Sequence, residues 1–417
     1  MQAVNEWKPH LTAIVGLARA KYPRRSLYAP MVSMCDSGSL QVWDSHNLER
    51  MIDLKLRELR SEYCKTREIR CQVCSWNVDS QKPPDDDEFW NKWLGLNYDP
   101  EIIVIGLQEV IDLQSKSANA MLLLNSNNKN AAQQEKPKSL LWIERILRFL
   151  ARTVPDTMSL VASESMVGLM IVVFAKHTVT HLIKHVHQDQ VKTGLAGLHG
   201  NKGALVCRLL IDDTSICFVN CHLAAGHPQS AARQVDLNSI IRSARLSPLA
   251  VPEGVFLSGP GDLIHDHEHC VLFGDLNYRI EMDRDAVQSA MQDRRIQTLL
   301  QKDQLMEQIR TTVDHPLTSY KEASIAFLPT YKYDRGTNRL DSSEKQRIPA
   351  YCDRILFRSF DETTKIISNN YIHYIVVSDH RPVCATIRLG VKEINTGKQA
   401  LMRIEVAREL ITRILEQ

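Results

Sequence analysis

The sequence predicts an α/β chain built on two stacked sheets flanked by helices. Three observations lead there. Strand-length apolar runs are many and long helical patterns few, an order that suggests stacked sheets with helices on their flanks. One run, residues 102–107, is apolar throughout, so both of its faces must be covered. Polar, chemistry-bearing residues recur directly after such runs, as expected where buried strands deliver their ends to one rim.

The elements follow in order. Residues 1–66 read as an N-terminal extension. Within it, 37–44, ending Val42-Trp43-Asp44, resemble the last strand of a WD40 propeller blade with no second copy at blade-length period. Leucines and charges at helical spacing over 48–62 predict a lead-in helix. The main domain is expected over 67–390. It opens on a buried strand at 69–78, with further strands at 102–107, 166–174, 203–210, 216–221, 270–273, 355–358, 371–376 and 383–389. Helices fit 140–151, 230–244, 286–290 with its continuation, and 302–309. The acidic run Asp85-Asp86-Asp87-Glu88 before Phe89-Trp90 reads as a helix N-terminus with an acidic first turn. Residues 116–138, rich in Asn, Gln, Ala and Ser, read as a surface loop. The tail, 391–417, reads as one amphipathic helix that packs on this domain or on a further one.

Bulk properties narrow the function. With 417 residues, 44% hydrophobic and 24% charged, the composition is that of an ordinary globular protein. A formal net charge of +2 lacks the global basic field of a dedicated nucleic-acid binder, so an anionic ligand must meet a local cluster of positive charge. Ten irregularly spaced cysteines and no secretory pattern at Met1-Gln2-Ala3-Val4 predict a reduced, cytoplasmic chain. No apolar run approaches the ~20 residues that span a bilayer, so membrane contact is expected to be peripheral and transient. Cys71 and Cys74, three apart on a strand, should point to opposite faces and be buried rather than paired around a metal. The tract His265-Asp266-His267-Glu268-His269-Cys270 is read as a solvated loop.

Chemistry gathers at the strand exits. Asn77 follows the first strand and Gln108-Glu109 the second. His222 follows 216–221, Asp275 and Asn277 follow 270–273, and Ser378-Asp379-His380 follows 371–376. These types suit hydrolysis of a phosphate ester. A hard cation takes carboxylate and amide oxygens, which Glu109 and Asn77 offer, and would neutralise charge on the phosphoryl and leaving oxygens. Asp275 suits orienting and deprotonating a water, and Asn277 donating to a phosphoryl oxygen. His380 suits contacting the phosphate once a buried carboxylate fixes its ring, with Asp353 the candidate partner.

A family resemblance rests on an ordered set of motifs: Trp76-Asn77-Val78, Gln108-Glu109-Val110, Gly200-Asn201-Lys202-Gly203, His222-Leu223-Ala224-Ala225, Gly274-Asp275-Leu276-Asn277-Tyr278-Arg279, Pro329-Thr330-Tyr331-Lys332-Tyr333-Asp334, the string Arg347 through Leu356 with Pro349-Ala350-Tyr351-Cys352-Asp353-Arg354 at its centre, and Ser378-Asp379-His380-Arg381-Pro382. The set resembles the catalytic domain of inositol polyphosphate 5-phosphatases, whose layout is shared with DNase I-like nucleases. The resemblance implies a four-layer α/β/β/α sandwich of two stacked mixed sheets and a Mg²⁺ ion at Glu109 with Asn77. It also implies removal of the 5-phosphate from phosphoinositides or soluble inositol polyphosphates, with no nucleic acid as partner. The catalytic set it implies is Asp275, Asn277, His380, Asp353, His222 and Asp379. Tyr331, Lys332, Lys345 and Arg347 are implied to hold the neighbouring 4-phosphate as charge-assisted donors, with Lys202 and Asn201 close to the substrate. The chain departs from the family pattern at Leu272-Phe273, where a Trp is common, at Gln234 after Arg233, and at Asp79, where many members carry Asn. A nuclease or other phosphodiesterase on the same scaffold, and an inactive interaction module, are the competing readings.

Overall fold

The computed structural model describes residues 14–19, 31–35, 40–43, 45–111, 138–154, 156–194, 197, 199–252, 254–360 and 364–415. The chain forms two compact units, one of residues 66–392 and one of residues 1–65 with 393–417.

In the smaller unit β1 (Ile14–Arg19), β2 (Met31–Cys35) and β3 (Leu40–Trp43) form an antiparallel sheet in that order. Helix Ser45–Glu58 packs with helix Thr396–Leu415, and Arg403 pairs with Asp53 at 3.0 Å and with Glu49. Of the blade-like segment, residues 37–39 and 44 lie outside the described residues, as do 116–137 of the expected surface loop.

The larger unit holds two six-stranded sheets. The first has the order β14-β15-β4-β5-β7-β6: β14 (Lys365–Tyr371), β15 (Val383–Ile394), β4 (Cys64–Asn77), β5 (Ile102–Gln108), β7 (Leu169–Lys176) and β6 (Met158–Met166). The second has the order β12-β13-β11-β10-β9-β8: β12 (Lys321–Glu322), β13 (Asp353–Ser359), β11 (His269–Asp275), β10 (Thr214–His222), β9 (His199–Ile211) and β8 (Ile183–Gly194).

Strand periodicity builds the layers. Along β5, Ile102 and Val104 enter the core between the sheets, while Ile103, Ile105 and Leu107 face the outer layer. There they meet Trp90 and Trp93 of helix Asp87–Trp93 and Trp142 and Phe149 of helix Lys138–Thr153. Along β10, Ile216 and Phe218 join the central core, while Cys217, Val219 and Cys221 face Leu237 and Ile240 of helix Ser230–Ser243. The result is helix, sheet, sheet, helix. Cys71 lies in the central core and Cys74 in the outer one, on opposite faces of β4 as the spacing predicts. Asp86 caps helix Asp87–Trp93 by accepting from Phe89 N, which accounts for the acidic run.

Mixed pairing aims the site. β4 runs parallel to β5 with Asn77 opposite Gln108, and β10 runs parallel to β11 with His222 opposite Asp275. The C-terminal ends of each pair therefore emerge together. Gln108 Nε2 donates to Asn220 Oδ1 across the sheets at 2.7 Å. Gly106 permits that approach, since a Cβ there would lie 2.4 Å from Phe273 and 2.6 Å from Asn220.

Several expectations are corrected. Residues 371–376 are not a strand: β14 ends at Tyr371, and Ile372 and Ile375 instead pack into the outer core from irregular backbone. The tail does form one helix, Thr396–Leu415, but it starts later than expected because β15 runs to Ile394. The His265–Cys270 tract is not solvated. His267 and His269 are buried, His267 Nδ1 bonds Ile264 O at 3.0 Å, and His269 bridges Ser359 Oγ and Gly390 O at 3.0 Å each. Glu268 pairs with Lys392. Burial pushes His265 and His267 down to about 4, so both stay neutral and structural.

Candidate functional site

The strand exits converge. Asn77 Nδ2 donates to Asp275 Oδ2 at 3.0 Å, joining the two sheets at their common rim. Asp275 is set by Gly274, whose φ of +130° suits glycine and whose absent Cβ would otherwise meet Cys221 O at 2.1 Å. The opposite Asp275 oxygen, Oδ1, accepts from Asn277 N at 3.0 Å. Asn277 Nδ2 donates to Leu223 O at 3.1 Å, and its Oδ1 accepts from Arg279 at 2.6 Å. Asn277 and Glu109 both adopt left-handed backbone, φ 57° and 52°, an uncommon conformation held only where surrounding contacts dictate it.

His380 enters from the segment before β15. Its backbone is fixed twice: Ser378 Oγ accepts from His380 N at 3.1 Å while donating to Asn77 O at 2.7 Å, and the Trp76 indole donates to His380 O at 3.2 Å. Its ring is fixed by Asp353, whose Oδ2 bonds Nδ1 at 2.8 Å and also accepts from Thr330 Oγ1 at 2.6 Å. That leaves Nε2 facing Asp275 Oδ2 at 3.9 Å and Asp379 Oδ1 at 4.0 Å. Burial alone would lower the His380 pKa. The carboxylates of Asp353, Asp275 and Asp379 outweigh it and push the pKa up to about 10, so the ring is cationic at neutral pH. For Asp275 burial works upward, but the charges of His380, His222 and Lys202 outweigh it and hold the carboxyl well below the usual carboxylate range.

On the other side of Asp275, His222 Nε2 lies 3.3 Å from Asp275 Oδ2 and 3.7 Å from Glu109 Oε1, and it contacts Lys202 Nζ. Burial lowers the Lys202 pKa against the pull of Asp275 and Glu109. Asn201 is half-buried beside it.

The segments of the expected phosphate grip meet at Asp341, whose N–H donates to Lys332 O at 3.1 Å. Lys332 pairs with Asp379 at 2.5 Å, an attraction that overcomes burial and raises its pKa. Tyr331 is buried, its ring under the Arg279 guanidinium at 4.5 Å and beside the His380 ring at 4.5 Å. Arg347 is half-buried, its N–H donating to Asp341 at 2.7 Å, and Lys345 is exposed on the same turn. Three contributors escape the sequence reading of the site: Thr330, Arg279 and Trp76. Each lies within the quoted motifs, but only contacts reveal that they hold Asp353, Asn277 and the His380 backbone in place.

Residues 74–386 match the family model described as endonuclease/exonuclease/phosphatase family 2. The chain is 38% identical over 389 residues to a probable inositol polyphosphate 5-phosphatase of Schizosaccharomyces pombe, covering 88% of this chain and 32% of that protein. It is 31% identical over 381 residues to human synaptojanin-1, covering 83% and 23%. A solved inositol polyphosphate 5-phosphatase domain of a synaptojanin, in complex with inositol (1,4)-bisphosphate and calcium ion, superposes with a TM-score of 0.70 at 28% identity, covering 89% of this chain and 99% of that one. The chain thus belongs to the endonuclease/exonuclease/phosphatase family 2. Within that class it is a member of the inositol polyphosphate 5-phosphatase family. It spans between about a quarter and a third of the length of these curated relatives.

Proposed function

We propose that the chain is a Mg²⁺-dependent phosphoric monoester hydrolase. Its substrates are phosphatidylinositol 4,5-bisphosphate, the 3,4,5-trisphosphate and soluble inositol polyphosphates, from which it removes the 5-phosphate. The observation that carries this reading is the Asp353–His380 pair beside an Asp275 that Asn77 holds across the two sheets. The ligand of the solved synaptojanin domain supports it: inositol (1,4)-bisphosphate is what the 1,4,5-trisphosphate becomes on losing its 5-phosphate.

In this reading the cationic His380 donates from Nε2 to a phosphoryl oxygen and stabilises the charge that builds there. Asp275 stays ionised and aligns a water on phosphorus. Its depressed pKa makes it a weak base, so alignment is its first contribution. The water oxygen adds to phosphorus as the bond to the inositol oxygen breaks, leaving the inositol hydroxyl and inorganic phosphate. Lys332, Arg347 and Lys345 receive the adjacent 4-phosphate.

The donor set fits a hard cation: the Glu109 side chain is 38% exposed, and the Asn77 amide oxygen, which accepts from Asp79 N at 3.1 Å, has a second lone pair. When bound, Mg²⁺ supplies charge neutralisation at the phosphoryl and leaving oxygens. Ligand atoms of Asp275, Asp353 and His380 lie within 4.8 Å of one another, but His380 Nδ1 and Asp353 Oδ2 already share a hydrogen bond, so that trio suits proton placement better. No helix among the described residues is long and apolar enough to cross a membrane. We infer action in the cytoplasm with transient contact at membrane surfaces, where the lipid substrates reside.

The test is phosphate release by EDTA-stripped protein resupplied with Mg²⁺. It is offered inositol 1,4,5-trisphosphate, vesicles carrying the 4,5-bisphosphate, and duplex DNA. Mg²⁺-dependent release from the first two with intact DNA is expected. Nicked DNA with untouched inositol phosphates would overturn the reading in favour of a nuclease.

A further inference from the structure

Asp79 and Arg335 are charged where the backbone asks only for polarity. Asp79 follows Asn77 by two residues, is 8% exposed, and has a φ of 47°, a left-handed conformation that Asn tolerates as well as Asp. Its N–H donates to Asn77 Oδ1 at 3.1 Å, and the next N–H, of Ser80, donates to Glu109 O at 2.7 Å. The Asp79 carboxylate therefore shares the electrostatic neighbourhood of Glu109 and Asp379. Arg335 follows directly on Tyr331-Lys332-Tyr333-Asp334. It grips Asp79 with two nitrogens, Nη2 to Oδ1 at 2.5 Å and Nε to Oδ2. Its loop is pinned beside the site, Tyr333 N donating to Asp379 O at 3.0 Å and Gly336 N to Val376 O at 2.6 Å. The Arg335 side chain is 63% exposed, so the pair faces the rim.

Without Arg335, Asp79 would add a third carboxylate beside Glu109 and Asp379, at a rim that receives a ligand of several phosphates. At such a partly solvated rim, one added negative charge several ångströms from the ligand weakens binding roughly fivefold. We propose that Arg335 is a specificity-determining charge mask: it neutralises Asp79 at the rim and thereby sets affinity for multiply phosphorylated inositols, without taking part in bond cleavage. The ligand class rests on the phosphatase reading above.

The test measures binding and turnover separately. Calorimetry with inositol 1,4,5-trisphosphate and Ca²⁺ at low ionic strength compares the wild type with R335K, R335Q, D79N and D79N/R335Q. R335Q is expected to bind roughly fivefold more weakly, D79N/R335Q to recover to within about twofold, and R335K to track the wild type. Raising salt to ~0.5 M should close the gap, and kcat should stay within about twofold throughout. An R335Q that binds like the wild type at low salt overturns the mask. So does a double variant as weak as R335Q, which would show that the pair matters only as a strut. A wild type that binds the trisphosphate yet releases no phosphate sinks the phosphatase reading and leaves the mask standing. A wild type that does not bind it sinks both.

Discussion

Replacing Asp353 by Asn tests whether His380 works as a cation. The substitution keeps the shape of a fully buried side chain but removes the charge 2.8 Å from His380 Nδ1, and it offers an amide N–H where an acceptor is needed. A charge-assisted hydrogen bond is worth about 1.5–3 kcal/mol. At about 1.4 kcal/mol per pH unit, its loss lowers the His380 pKa by one to two units from about 10. The sign follows directly. A raised histidine is fully charged below its unfolded value near ~6.5 and loses its proton as pH climbs through the folded value, so D353N must move the basic limb of activity downward. The stability that this pair contributes at neutral pH is lost over the same upward window. If the cation is needed in the transition state, kcat falls by no more than about twofold at pH 8 but by roughly five- to fiftyfold at pH 10. The assay is phosphate release from inositol 1,4,5-trisphosphate between pH 6 and 11, with circular dichroism melting to verify the fold. A folded D353N with unchanged kcat and a superimposable pH profile would refute the role given to His380.

Two further outcomes are expected. Arg354 is 2% exposed and pairs with Asp303 at 2.9 Å and with Glu322. R354M strands a buried carboxylate and should cost about 3–5 kcal/mol, a fall of roughly 10 °C in thermal melting, while any folded enzyme keeps its KM. Lys332→Ala should raise KM about tenfold for a 4,5-bisphosphate and leave a substrate lacking the 4-phosphate nearly unchanged, as read from paired steady-state assays.

Much of the fold was legible because strands covered on both faces read as nearly unbroken apolar runs. The runs at residues 102–107 and 216–221 placed both central strands, and the polar residues after them located the rim. Edge strands were harder. β6, β8 and β14 expose a face, and their Ser, Asn, His and Lys residues break up the apolar runs, so all three were passed over, β6 apart from its last residue, Met166. Residues 371–376 misled in the opposite sense, since their apolar side chains pack outward without a ladder. The His265–Cys270 tract looked solvated because its partners, Ser359, Gly390 and Lys392, lie about ninety residues or more away in sequence. Within the site, motif strings named residues without dividing their work. In the Arg347–Leu356 string Asp353 orients His380, whereas Arg354 is bound up in a buried ion pair and Tyr351 donates to Phe327 O. Only coordinates separate such jobs.

Which phosphate leaves decides between a 5-phosphatase and any other phosphoesterase. Phosphorus-31 NMR of inositol 1,4,5-trisphosphate incubated with the Mg²⁺-loaded protein reads this directly. Loss of the 5-phosphate resonance and accumulation of inositol 1,4-bisphosphate are expected, with no reaction by a folded Asp275→Asn variant. Release of the 1- or 4-phosphate, or an unaltered spectrum with wild-type protein, would contradict the 5-phosphatase reading.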